Sequence, residues 1–290
     1  MTKLRRTVLY VPADNRRALE KALTLPADAL IIDLEDAVAP DKKDIARDNL
    51  RTLPRFDREV ALRVNSPETA WHFKDLTAAR AKNFHAIVLP KTKSAMEVTR
   101  LATRTGHTVW PMIETARGVL DARPIAEAAA GTGPAALIFG TNDLCAELGI
   151  TPGGGRMPLR MAMQQLVLAG AAHGVDVIDG VVNNFKDLKR LKQEAMQARG
   201  MGMAGKTIIH PHQIEEVNRI FTPTVADYKR AERIIAAMKK AEGEGKSVAT
   251  LNGRMVEQLH ARAAEKLLEK VRLIGERGET ATQDDELVDE

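Results

Sequence analysis

Continuous runs of apolar residues recur along the chain at 7–11, 29–34, 60–64, 86–89, 109–113, 135–139, 175–182 and 207–209. Within the runs the apolar positions are largely continuous rather than alternating, the pattern of strands buried on both faces of a parallel sheet. The stretches 16–25, 42–53, 69–81, 95–103, 120–129 and 159–173 place apolar residues at helical spacing between them. Eight such runs in strand–helix alternation predict an α/β fold, a closed (β/α)8 TIM barrel. An open doubly wound sheet is the competing arrangement, but no G-x-G-x-x-G follows the first strand. Beyond the eighth run, 225–240 and 255–273 read as amphipathic helices joined by a flexible glycine-rich link, 243–253. The organisation expected is a barrel domain over 1–221, a helical lid or arm over 222–275, and an acidic, disordered tail over 276–290.

Composition narrows the class. At 290 residues and 44% apolar content the chain can bury a substantial core. A single cysteine, Cys145, excludes an internal disulfide framework and fits a reducing compartment. No uncharged apolar run reaches the roughly 18 residues that would span a bilayer, and the first residues lack a secretory apolar segment. The expected location is the cytoplasm. The net charge of +4 is spread among interspersed acidic residues, and aromatic content is only 3%. Nucleic acid is therefore not the expected partner; a phosphorylated small molecule suits the modest positive excess.

In a barrel of this kind, functional side chains collect where strands end. The runs end in Tyr10 to Asn15, Asp33-Leu-Glu-Asp36, Arg63-Val-Asn65, Pro90-Lys91, Glu114-Thr115, Asn142-Asp143, Asp179 to Asn183 and His210-Pro211. Taken singly, each carboxylate could cap a helix or pair with a base, and Arg63 could merely neutralise one of them. Taken together, at least four carboxylates on one rim would repel one another unless positive charge lay among them. With few cysteines and histidines there, oxygen ligation of Mg2+ or Mn2+ is expected rather than zinc.

The segments Leu9-Tyr-Val-Pro12, Asp33-Leu-Glu-Asp-Ala-Val38, Arg63-Val-Asn65, Leu89-Pro-Lys91, Met112-Ile-Glu-Thr115, Phe139-Gly-Thr-Asn-Asp-Leu144 and Gly205-Lys-Thr-Ile-Ile-His-Pro211 resemble, in order, the HpcH/HpaI aldolase and citrate lyase beta family. They are most similar to its malyl-CoA and citramalyl-CoA lyases. The resemblance implies that Glu114 and Asp143 bind Mg2+ and that Arg63 holds the substrate carboxylate, for which a planar guanidinium fork is suited. It implies that Tyr10 and Arg17 contact the acyl-CoA, and that Asp36 acts beside the metal, through water or just outside its ligands; alternatively Asp36 caps the next helix. Two positions depart from the family pattern. Pro12-Ala13 stands where relatives read Pro-Gly, and Met255-Val-Glu257 where many carry Met-Ile-Asp. Glu257 keeps the carboxylate of the lid's acid/base residue but displaces it by about 1 Å; otherwise it is an exposed helix residue.

The implied reaction is Mg2+-dependent, reversible aldol cleavage of a 3-hydroxyacyl-CoA to a short acyl-CoA and a 2-oxo acid. Arg63, Asp36 and Glu257 are the candidate catalytic residues, coenzyme A is part of the substrate, and a homo-oligomer (trimer or hexamer) is the assembly. The resemblance leaves three alternatives: a malyl-CoA thioesterase on the same scaffold, the citryl lyase subunit of a citrate lyase complex with carrier-protein partners, and a non-catalytic barrel that binds CoA esters.

Overall fold

The computed structural model describes residues 3–80, 82–151 and 154–281. Strands β1 (Thr7–Pro12), β2 (Ala29–Asp33), β3 (Glu59–Arg63), β4 (Ala86–Leu89), β5 (Thr108–Ile113), β6 (Ala136–Phe139), β7 (Asp176–Asp179) and β8 (Gly205–Ile208) pair in sequence order, all parallel. The pairing of β1 with β8 closes the barrel. The fold is thus the (β/α)8 barrel the apolar runs predict. β2, β3, β4 and β6 are buried at every position, as continuous runs demand.

The helices are α1 (Arg16–Ala22), α2 (Lys43–Arg51), α3 (His72–Ala79), α4 (Ala95–Thr105), α5 (Ala116–Leu120), α6 (Ala122–Ala130), α7 (Thr141–Leu148), α8 (Arg160–His173), α9 (Leu188–Gly200) and α10 (Ile214–Phe221). The best-marked start is at α4, where Ser94 and Glu97 form a reciprocal capping box. Three differences from the sequence expectation stand out. The run at 175–182 forms a strand only over Asp176–Asp179; the next residue, Gly180, lies so close to Thr141 and the Phe139 carbonyl that a Cβ there would sit 2.7 to 2.8 Å from them. α9 and α10 fill intervals to which no helix had been given. α7 begins immediately after β6, so Asn142 and Asp143 belong to a helix's first turn rather than to a strand end.

Residues Arg5–Asn218 form one compact unit, and the described residues from Arg219 to 281, with Lys3 and Leu4, belong to a second. In the second unit, α11 (Val225–Gly243) and α12 (Gln258–Gly275) accompany a hairpin of β9 (Val248–Leu251) and β10 (Arg254–Glu257). Its small core joins Met238, Val256 and Ala261 to Ile234, Ile235, Ala249 and Leu251. The glycine-rich link is therefore not a flexible tether: Asn252 and Gly253, both with positive φ (51° and 73°), make the two-residue turn that matches strand twist. Of the acidic tail, residues 282–290 lie outside the described residues. No helix among the described residues is long and apolar enough to cross a membrane.

Closure of the barrel depends on a close approach at its N-terminal end. A Cβ at Gly205 would sit 1.8 Å from the Arg5 carbonyl oxygen and 2.6 Å from that of Arg6, so β8 can reach the chain entering β1 only without a side chain. Gly205→Ala should destabilise the barrel by about 3 kcal/mol or prevent folding. Urea unfolding followed by circular dichroism checks this; a shift below 0.5 kcal/mol, which is about the effect of a neutral surface change, would show that the backbone there can part.

Candidate active site

Asp33 and Arg63 end adjacent strands and are register partners across the β2–β3 pair. Arg63 Nε donates to Asp33 Oδ1 at 2.7 Å and Nη2 to Oδ2 at 2.5 Å. The same carboxylate accepts the backbone N–H groups of Glu35 and Ala37, which folds the 33–38 loop over the strand end. This fixes the guanidinium in place, 5.0 Å from the Tyr10 ring centroid. Its remaining nitrogen, Nη1, faces Glu35 Oε2 at 2.9 Å and the Met112 sulfur at 3.8 Å. Asp36 is farther away, at 3.9 Å, and mostly exposed.

The next pair of strands supplies the second half of the site. Gly140 N–H donates to the Ile113 carbonyl, which draws the end of β6 against Glu114. A Cβ at Gly140 would meet Glu114 Cβ and Oε2, both at 2.4 Å, so the glycine makes room for that carboxylate. Lys91 N–H donates to Glu114 Oε1 at 2.7 Å. Lys91 Nζ lies 3.7 Å from Glu35 Oε1 and 3.9 Å from Asp143 Oδ1. Tyr10, Asp36, Arg63, Glu114 and Asp143 all line one cavity of about 280 Å3, whose apolar wall includes Met112, Val181 and Ile209.

The charges in this cavity are not balanced. Burial pushes the Glu114 carboxyl up to about 8, with Asp143 and Glu35 adding to the shift. Glu35 is pushed up to about 7, again chiefly by burial, which the Arg63 charge only partly offsets. Its Oε2 is buried without a well-aligned hydrogen bond. Burial also raises the Tyr10 hydroxyl. A cluster short of positive charge and lined by carboxylate oxygens fits a hard divalent cation. Among the described residues no three His, Cys, Asp or Glu side chains are grouped to hold one. Glu114 and Asp143 would therefore supply two ligands and leave the other positions to water or substrate.

The remaining sequence candidates fall elsewhere. Arg17 is exposed on α1 and does not line the cavity. Glu257 lies in the second unit as the N-cap of α12: its carboxylate accepts the His260 backbone N–H, and His260 Nδ1 accepts that of Glu257. Asn65 is committed to structure, bonded to Asp75, the Leu34 carbonyl and Lys43. Asp179, read as a rim residue, is fully buried between Lys206 and Arg156. Residues absent from the candidate set are Asp33, Glu35, Lys91 and Gly140. The sequence signal for all four is their place inside the quoted segments; nothing in the sequence marks their geometry.

Residues 6–211 match the model of the family described as HpcH/HpaI aldolase/citrate lyase. A (3S)-malyl-CoA thioesterase of Cereibacter sphaeroides is 42% identical over 274 residues, covering 93% of this chain and 95% of the relative. The mitochondrial citramalyl-CoA lyase of Mus musculus is 32% identical over 276 residues, covering 87% of this chain and 82% of the relative. Among solved structures, Mycobacterium tuberculosis CitE, crystallised with magnesium, acetoacetate and coenzyme A, superposes with a TM-score of 0.77 at 31% identity. That match covers 91% of this chain and 97% of CitE.

The raised carboxyls tie stability to pH. A carboxyl whose folded value lies above its unfolded one contributes most below the unfolded value and loses that contribution as pH rises through the folded one. For Glu35 and Glu114 the loss runs from their ordinary 4.5 up to about 7 and 8. In chelator, the urea midpoint should fall between about pH 5 and pH 8, and Glu114→Gln should flatten that fall. An unchanged slope in the variant would mean that Glu114 ionises normally.

Proposed function

The chain belongs to the HpcH/HpaI aldolase/citrate lyase family, and on that premise we propose that it is a magnesium-dependent enzyme acting on malyl-CoA-type 3-hydroxyacyl-CoA thioesters. The observation that carries this reading is that Arg63, fixed by Asp33, shares one cavity with Asp143 and with Glu114, whose carboxyl is raised by burial. A guanidinium with one edge already held by Asp33 can turn its Nη1 side to the carboxylate of a hydroxy or oxo acid. Glu114 and Asp143 would hold the cation, which when bound supplies Lewis-acid polarisation of the adjacent oxygen. Lys91 N–H keeps the Glu114 carboxylate oriented toward it.

Two outcomes can follow from that bound state. Hydrolysis adds water to the thioester carbon and breaks the carbon–sulfur bond, releasing the coenzyme A thiol and a free hydroxy acid. It is favoured by the 42% identity to a thioesterase along nearly the whole of both chains. Aldol cleavage takes the proton from the 3-hydroxyl and breaks the bond between carbons 2 and 3. The electron pair passes to the thioester enolate, which takes up a proton to become the short acyl-CoA, and a 2-oxo acid remains. It is supported by the 32% identity to a citramalyl-CoA lyase and by a cavity suited to a small oxo acid. We place hydrolysis first. Asp36, exposed at the cavity, is the barrel's own candidate for proton transfer; Tyr10 and Arg17 are proposed contacts of the acyl-CoA.

With malyl-CoA and Mg2+, hydrolysis should yield thiol and malate in equal amounts with no glyoxylate. Cleavage should yield glyoxylate and acetyl-CoA with no thiol. Glu114→Ala should abolish either reaction without unfolding the barrel; full turnover in that variant, or neither product from the parent, would defeat the proposal.

Glu257 is proposed as the acid/base residue contributed to a neighbouring copy in a homo-oligomer. Inactive Arg63→Ala and Glu257→Ala chains, mixed after dissociation, should then regain part of the activity, because some sites receive both intact residues. A monomer in sedimentation, or no recovery on mixing, rules out the shared site.

A further inference from the structure

Lys91 occupies a position that no ordinary residue adopts without cause. Its φ of 51° lies in the left-handed region, shared among the described non-glycine residues only by Arg156 and Asn252. Asparagine tolerates that conformation and lysine does not favour it. The backbone is held there by a specific contact, the 2.7 Å hydrogen bond from Lys91 N–H to Glu114 Oε1. From the same residue the side chain places its ammonium 3.7 Å from Glu35 and 3.9 Å from Asp143. One residue thus touches both proposed metal ligands and, through Glu35, the anion-binding Arg63.

Charge explains what the ammonium does there. Among the described residues, Asp33, Glu35, Asp36 and Asp143 have Arg63 or Lys91 within ion-pair distance, and Glu114 accepts the Lys91 backbone N–H. Arg63 is committed to Asp33. Lys91 approaches its partners without closing a hydrogen bond to either, on a side chain that remains 38% exposed. It is a partly exposed positive charge beside a negative cluster rather than a closed, hydrogen-bonded pair.

We propose that Lys91 is the resident counter-cation of this site: its ammonium neutralises Glu35 and Asp143 when no metal is bound and competes with the divalent cation for the same carboxylates. The inference rests on the metal reading given above and deepens it. The backbone of Lys91 orients a ligand, while its side chain sets how tightly the cation is held. A half-exposed ammonium about 4 Å from each carboxylate is screened well below the buried limit, so its removal should tighten metal binding by about tenfold.

The test is Mn2+ binding to the full-length chain, followed by the electron paramagnetic resonance signal of free Mn2+. Lys91→Met and Lys91→Gly should each bind Mn2+ about tenfold more tightly than the parent, whereas Lys91→Arg, which keeps the charge, should bind like the parent. In chelator, Lys91→Met should melt below the parent, and saturating Mn2+ should close the gap. The glycine variant accepts the positive φ without strain, so it reports on the ammonium even if Lys91→Met fails to fold. Unchanged or weaker Mn2+ binding in Lys91→Met or Lys91→Gly would overturn the proposal. Glu114→Ala separates this from the metal reading: if the parent binds no Mn2+, or Glu114→Ala binds it as tightly as the parent, the metal site itself is wrong and the role of Lys91 falls with it.

Discussion

Five carboxylates crowd one rim of a closed barrel, and a cross-strand ion pair fixes how the three on the β2 side are arranged. Asp33 and Arg63 are register partners, so the order of β2 and β3 alone brings them together. Asp33 takes one edge of the guanidinium and, through its two backbone N–H bonds, the start of the following loop. That loop carries Glu35 inward to Arg63 and leaves Asp36 exposed. The arrangement of Glu35, and through it the neighbourhood of Lys91, follows from this pairing. Removing either partner would leave a buried charge without compensation, a far larger loss than the pair's net contribution.

The opposite behaviour of another carboxylate shows why the rim is a site and not merely a charged surface. Asp179 is fully buried, yet Lys206 and Arg156 hold its carboxyl below the usual range. Lys206 Nζ also bonds the Gly180 carbonyl and approaches Glu194, which closes the network. At the barrel's other end Arg5 is similarly satisfied by Glu59, Asp176 and two carbonyls beside the Trp110 ring. These groups are compensated within the protein. Glu35 and Glu114 shift upward instead, because their burial exceeds the positive charge available. Structural carboxylates and carboxylates awaiting a partner are distinguished by the sign of that imbalance.

Most of the barrel was legible because continuous apolar runs have one economical use, as strands covered on both faces. The rim was legible for the same reason: wherever a buried strand stops, its first polar residues must lie at an end. What could not be read is geometry that depends on partners far along the chain. The left-handed backbone of Lys91 answers to Glu114, 23 residues away, and the burial of Glu35 answers to Arg63. α7 carries no side-chain N-cap, since Gly140 precedes it, so Asp143 read as part of a strand end. The hairpin of β9 and β10 is a different kind of miss. Its Asn252-Gly253 turn is a strong local signal, masked by the many glycines and charged residues around it.

The two reactions proposed for this cavity differ at the thioester, not at the acid end that Arg63 and the carboxylate pair would hold. Either way the anion must be anchored, its neighbouring oxygen polarised and the substrate kept from drifting by even an ångström. Asp33, Glu35, Lys91, Glu114 and Gly140 contribute to that common requirement, each through a contact fixed by the barrel's own register or by a close approach of backbone. The choice between adding water to a thioester and expelling an enolate then depends on what stands over carbons 1 and 2. An enolate needs water excluded, whereas hydrolysis needs one water admitted and oriented. On the proposed reading the barrel rim would account for recognition of the acid, and the elements that cover the thioester would decide which bond breaks. A family can change reaction on such a scaffold while leaving every residue of the carboxylate cluster in place.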